Sequence, residues 1–179
     1  MNLPNKITIF RVCMIPIFLI FMLVSSIPGG KYIAAAIFII AALSDLLDGY
    51  LARKHNLVTN FGKFMDPVAD KLLVSSALIC LVELKLLPAW IVIIIIAREF
   101  IISGFRLIAS DNGVVIAASW WGKVKTTVQM VMSIMLIINL DNVFINILEQ
   151  IAIYLSAALT IISLIDYLIK NKKVLKETH

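Results

Sequence analysis

An all-α membrane protein is the fold class this sequence predicts, a bundle of six transmembrane helices with both termini in the cytoplasm. Three observations predict it. Of 179 residues, 61% are hydrophobic, and the mean hydropathy of +1.02 lies far above the range of a soluble domain. Six apolar segments, at roughly 7–27, 32–52, 67–86, 88–109, 119–140 and 146–169, are each long enough to cross ~30 Å of hydrocarbon at ~1.5 Å per residue. Of 16 lysines and arginines, only Lys31 and Lys85 fall on one side of that arrangement, which is the positive-inside bias and puts the other side in the cytoplasm.

The first span opens at Asn2-Leu3-Pro4-Asn5, where Pro4 suits a first helical turn, and Thr8 and Arg11 share a face three residues apart. Arg11 can snorkel to the interface or point into a cytoplasmic cavity. Pro16 is expected to bend this span. Residues 25–31, SSIPGGK, form an external turn, and span two then runs apolar from Ile33 to Leu43 before it meets Asp45, Asp48 and Gly49. Residues 54–60 are polar and without a period, so they form the cytoplasmic connection that carries His55. Pro67, directly after Asp66, suits the first turn of span three, which would place Asp66 near the helix start and Asp70 one turn deeper.

Span four follows the short external link 83–88. Arg98 interrupts it at a depth of ~15 Å in a straight helix, and Arg106 lies eight residues on, about 40 degrees around, so both can line one cavity. Glu99 can compensate one of them, and Gly104 permits close helix approach. Residues 110–119 make a cytoplasmic turn. Trp120 and Trp121 read as an interfacial belt ahead of Lys123 and Lys125, and Asp141 and Asn142 mark the last external turn. Span six ends near Lys170 in a basic tail. Cys13 and Cys80 have no paired spacing and read as small buried hydrophobes. No tandem repeat or linker divides the chain, so residues 1–179 are expected to form a single domain. The net charge of +5 calls for no nucleic acid, because topology and anionic lipid account for it.

The feature that composition does not explain is the stretch from Asp45 to Asp70. Asp45 and Asp48 are three apart, and Asp66 and Asp70 four apart, so on helices each pair shares a face. Four carboxylates in a greasy chain repel one another unless cations sit among them, which points to a divalent metal site facing a cavity. A cation transporter would also use carboxylates. It would, however, spread ionisable groups through the whole membrane depth, whereas these lie at cytoplasmic helix ends and spans one and six are read as carrying none in their outer halves.

The spacing Asp45-x2-Asp48-Gly49-x2-Ala52-Arg53-x8-Gly62-x3-Asp66-x3-Asp70 resembles the full signature of the CDP-alcohol phosphatidyltransferase family, eight fixed residues over 26 positions. Asn5-Lys6-Ile7-Thr8 with Arg11, Arg98-Glu99-Phe100 to Gly104-Phe105-Arg106, and the segment from Ala117 to Thr126 resemble further motifs of its bacterial members that use glycerol 3-phosphate. The resemblance implies that Asp45, Asp48, Asp66 and Asp70 surround two divalent cations, Mg2+ or Mn2+. It implies that Asp70 is the general base toward the acceptor hydroxyl, with Asp66 also catalytic. Asp45, Asp48, Gly49, Ala52, Arg53, Gly62 and Asp66 would then bind the CDP-linked lipid. A metal-bound carboxylate is a poor base, so Asp70 serves only with a loose metal contact or with neighbours that favour its protonated form.

Arg98, Arg106, Lys123 and Lys125 are more positive charge than four carboxylates already neutralised by two cations need, and Thr8 and Arg11 are further candidates to contact an acceptor phosphate. An anionic acceptor would use that charge, with arginine offering a fork of donors to a phosphate. The expected reaction is attack of the 1-hydroxyl of glycerol 3-phosphate on the lipid-side phosphorus of CDP-diacylglycerol, giving phosphatidylglycerophosphate and CMP. The same chemistry with inositol phosphate, serine or phosphatidylglycerol as acceptor is the alternative. The resemblance further implies a homodimer among membrane lipids, multi-pass in the bacterial cytoplasmic membrane, with its active site facing the cytoplasm.

Overall fold

The computed structural model describes residues 3–54, 60–111, 113–114, 116–117 and 119–172, with side chains described for all of these except 3–4, 45–54, 60–61, 63–64 and 111. Six α-helices follow one another: α1 (Leu3–Leu23), α2 (Gly30–Lys54), α3 (Asn60–Glu83), α4 (Ala89–Asp111), α5 (Trp120–Ile138) and α6 (Val143–Lys170). The chain is all-α, with one helix for each apolar segment. Pro4 falls in the first turn of α1, as expected, and α1 runs unbroken through Pro16.

The largest displacement from expectation is at α3, which begins at Asn60 rather than near Asp66 and so carries Pro67 in its interior. Proline already has helical φ, and what it removes is one bond to the carbonyl four residues back. The residue before a proline is pushed away from helical geometry, yet Asp66 is helical here, and a hydrogen bond from α1 pins its carboxylate.

The helix ends explain themselves locally. At the end of α3, Leu86 N donates to Leu81 O and Lys85 N to Val82 O, both at 2.9 Å, with Lys85 at φ +60. This is a Schellman closure that uses a lysine where glycine is usual. Asn142 caps α6 by accepting from Phe144 N at 2.9 Å. Lys31 donates to the carbonyl of Asn139 at 2.9 Å, beside the end of α5, where a cation complements the helix dipole.

The chain groups into two compact units, Met1–Leu86 with Ile134–Asn139, and Leu87–Ser133 with Leu140–His179. In the first, α1 packs on α2 and α3, and α2 also meets α3. Alanines at 34, 35, 41, 69 and 77 are buried there, which lets backbones approach as membrane helices do, and the rings of Phe18 and Phe38 meet at 6.0 Å. In the second, α4 packs on α6 around Ile102, Phe105, Ala109 and Tyr167, with Phe105 edge-on to Tyr167 at 5.7 Å.

Among the described residues two helical stretches, Asn5–Leu23 and Val143–Lys170, are long and apolar enough to cross a membrane by length and composition. In α2 the described apolar stretch, Gly30–Ser44, is shorter, while charge interrupts α4 at Arg98, Glu99 and Arg106 and α3 at Asp66, Asp70 and Lys71. All six helices nonetheless turn large apolar side chains outward. Ile20, Ile40, Ile79, Leu107, Val131 and Ile151, one on each helix in order, are at least half exposed, a surface compatible with lipid.

Two expectations are corrected. Cys13 is exposed rather than buried, on the outward side of α1, while Cys80 is buried as expected. The first third of α6 does carry a carboxylate, Glu149, which is buried together with Ser156, Thr160 and Ser163 on one face.

Gly30 is required by close approach to backbone, and the close helix approach expected at Gly104 is not found. A Cβ on Gly30 would stand 2.7 Å from the carbonyl oxygen of Phe21, whereas one on Gly104 would meet nothing within 4 Å. Gly30→Ala is therefore expected to lower the thermal unfolding midpoint in detergent by several degrees, and Gly104→Ala to leave it unchanged. Equal midpoints for the two variants would contradict the packing described at the start of α2.

Candidate active site

On α3, Asp66 and Asp70 lie one turn apart on the same side, and both are half-buried. Thr8 on α1 is fully buried and donates its hydroxyl to Asp66 Oδ1 at 2.6 Å. The bond ties one carboxylate oxygen of Asp66 to α1. Gly62, one turn before Asp66, is buried.

Asp45 and Asp48 lie on the helical stretch of α2, three residues apart, but their side chains and those of Gly49, Ala52 and Arg53 lie outside the described residues. The same holds for His55. Just before Asp45 the packing is well defined. Arg11 on α1 is fully buried, and its Nε donates to the carbonyl of Ala41 at 3.2 Å and to Ser44 Oγ at 3.4 Å, while Ser44 Oγ donates to that same carbonyl at 2.7 Å. Arg11 thus clamps the turn of α2 that ends at Asp45, and it is not a snorkelling anchor. Thr8 and Arg11, two candidates for the acceptor phosphate, are both engaged in holding carboxylate-bearing helices.

A metal would find hard oxygen donors here. Among the described residues no three His, Cys, Asp or Glu side chains come together, and two of the four expected ligands lie outside them. Asp66 and Asp70, spaced by one turn and partly open, fit the oxygen chemistry that Mg2+ and Mn2+ favour.

The second cluster lies on α4, α5 and α6. Arg98 is only 7% exposed, so it faces protein rather than lipid. Its Nε donates to Ser163 Oγ on α6 at 3.1 Å, and its Nη1 to Glu99 Oε1 at 3.1 Å. The same carboxylate oxygen accepts from Lys125 Nζ on α5 at 2.5 Å, and Lys125 is fully buried. Glu99 therefore compensates both cations and not just one. Arg98 and Lys125 are brought together. Arg106 and Lys123 are exposed, and the guanidinium of Arg106 lies 5.8 Å from the ring centre of Tyr167 in a cation–π contact. The structure does not bring these two to the Arg98 network.

Ser163 was missed in the sequence. The available signal was a serine three residues after Thr160 on an otherwise apolar helix, in a register that shares the buried face of α6 with Ser156. The first turn of α5 is closed by Ser119, whose Oγ accepts from Gly122 N at 3.1 Å.

Because a buried ammonium deprived of a carboxylate is more costly than an apolar replacement for the lysine, Glu99→Ala is expected to destabilise by about 3 kcal/mol and Lys125→Met by less. Chemical unfolding in detergent checks the order. Greater loss in Lys125→Met would show that Glu99 is not held there for Lys125.

The sequence profile described as CDP-alcohol phosphatidyltransferase matches residues 1–162. A Bacillus subtilis CDP-diacylglycerol–glycerol-3-phosphate 3-phosphatidyltransferase is 46% identical, with 99% of each chain covered. Its counterparts from Haemophilus influenzae, 45% identical over 93% of this chain and 91% of the relative, and from Rickettsia bellii, 36% identical over 96% of each, carry the same description.

Proposed function

Starting from the chain's membership of the CDP-alcohol phosphatidyltransferase family, which is plain from that match, we propose that it acts on the substrates its relatives are described by. It is an enzyme of phospholipid synthesis. It transfers the phosphatidyl group of CDP-diacylglycerol to glycerol 3-phosphate, giving phosphatidylglycerophosphate and CMP. The observation that supports an anionic acceptor is the gathering of two buried cations, Arg98 and Lys125, at one place on Glu99.

In this reading the 1-hydroxyl of the acceptor attacks the lipid-side phosphorus. The new bond joins that oxygen to phosphorus, the bond from phosphorus to the CMP oxygen breaks, and the hydroxyl proton passes to Asp70. Asp45, Asp48, Asp66 and Asp70 would hold two divalent cations, which when bound supply positive charge to the diphosphate and the departing CMP. Thr8 orients Asp66, and Arg11 fixes the turn before Asp45. Gly49, Ala52 and Gly62 leave room for the nucleotide, with Arg53 near the phosphates. Arg98 and Lys125 take the acceptor phosphate, while Arg106 and Lys123, being exposed, suit its approach or the lipid surface.

The two compact units serve one catalytic domain, a reading supported by a family match that runs through both. All six helices cross the cytoplasmic membrane, with both termini and the active site on the cytoplasmic side. The outward apolar side chains of every helix and the bias of the basic residues support this. A homodimer is proposed with it.

The direct test is an assay of the purified chain in detergent with CDP-diacylglycerol, a panel of acceptors, and Mg2+ or Mn2+ added or chelated. Product is expected from glycerol 3-phosphate and only with metal, and Asp66→Asn is expected to abolish it without changing the unfolding midpoint. Product from inositol phosphate in preference would overturn the acceptor, and full activity under chelation would overturn the metal role.

A further inference from the structure

Arg98 has five N–H donors in a rigid plane, and their allocation is specific. Nε goes to Ser163 Oγ and one proton of Nη1 to Glu99. Ser163 is fully buried and donates its own hydroxyl proton to the carbonyl of Thr160 at 3.0 Å, so a lone pair is what it offers Arg98. An alcohol committed in this way is a fixed acceptor. With Nε held on one side and Nη1 on the other, the guanidinium cannot turn about its long axis.

The remaining edge, Nη2, reaches the first turn of α5. A Cβ built on Gly122 would stand 3.1 Å from Nη2 and 3.4 Å from Ser119 Oγ. Gly122 is helical, without the positive φ that glycine alone tolerates, so its missing side chain serves space rather than backbone geometry.

We propose that Ser163 is a positioning residue for acceptor binding and that Gly122 is the clearance that goes with it. Together they present the Nη2 edge of Arg98 to the phosphate of the acceptor at the start of α5. This rests on the reading that Arg98 binds that phosphate. Without Ser163 the buried Nε loses its acceptor, and the guanidinium turns to pair two donors with Glu99, the fork geometry that arginine favours with a carboxylate. That rotation withdraws Nη2 from the phosphate. Glu99 then competes with the acceptor for the same arginine.

Steady-state kinetics of the full chain in detergent test this with Ser163→Ala, Ser163→Thr, Gly122→Ala and Arg98→Ala, using glycerol 3-phosphate as acceptor and inorganic phosphate as its competitor. Ser163→Ala is expected to raise the acceptor KM about tenfold, the loss of one charge-assisted hydrogen bond, and to weaken inhibition by inorganic phosphate by the same factor. The KM for CDP-diacylglycerol, kcat and the unfolding midpoint are expected to stay as they are. Ser163→Thr, which keeps the hydroxyl, is expected to restore the acceptor KM, and Gly122→Ala to reproduce the Ser163→Ala pattern. If Arg98→Ala raises the acceptor KM but Ser163→Ala and Gly122→Ala do not, the positioning role is overturned and the Arg98 reading stands. If Arg98→Ala leaves the acceptor KM unchanged, that underlying reading is itself wrong. A Ser163→Ala variant in which both KM values rise together, or which melts early without Gly122→Ala shifting the acceptor KM, would reduce Ser163 to a packing contact.

Discussion

Charge placed inside an apolar chain must be met by a partner, and that constraint organises most of this structure. Arg98 would be untenable against lipid. It is instead buried among Ser163, Glu99 and, through Glu99, Lys125, so that one carboxylate joins α4 to α5 and one hydroxyl joins α4 to α6. Arg11 obeys the same rule, and a backbone carbonyl and a serine hydroxyl of α2 are among the groups that meet it. Each of these contacts fixes the rotation of a helix as well as the position of a side chain. The functional groups are oriented by the same bonds that make their burial tolerable.

The chemistry divides accordingly. Carboxylates collect on α2 and α3, where Thr8 and Arg11 from α1 hold their supports, and they suit the diphosphate of the lipid donor with its cations. Cations collect on α4 and α5, where they suit the phosphate of the acceptor. Two anionic substrates can react only if their repulsion is cancelled group by group. This division of charge also explains why several helices fail a simple test of apolarity.

Much of this was legible in the sequence because spacing carries it. Three- and four-residue separations put Asp45 with Asp48 and Asp66 with Asp70 on common helix faces, and the apolar segments gave one helix each. What spacing could not give was partnership across helices. Arg98 and Arg106 are about 40 degrees apart on one helix and both meet α6, yet Arg98 is buried with Ser163 while Arg106 lies exposed over Tyr167. Lys123 and Lys125 part in the same way, two residues apart on a helix and so on different sides. Pro67 misled the placement of α3 because a proline suits both a first turn and, with a bond given up, an interior. Ser163 carried no chemical motif and emerged only through the arginine it holds. Glu149 shows the converse, a buried carboxylate in the chain to which the reaction assigns no part.

The central proposal is that the four aspartates, Asp45, Asp48, Asp66 and Asp70, form a metal-dependent site for the lipid donor. Anomalous diffraction from crystals of the full chain grown with Mn2+ tests it most directly. The account predicts two manganese peaks bounded by Asp45, Asp48, Asp66 and Asp70, both lost in Asp66→Asn crystals under the same conditions. Manganese bound at Glu99 or Glu149 instead, or no peak among the aspartates at saturating metal, would contradict it.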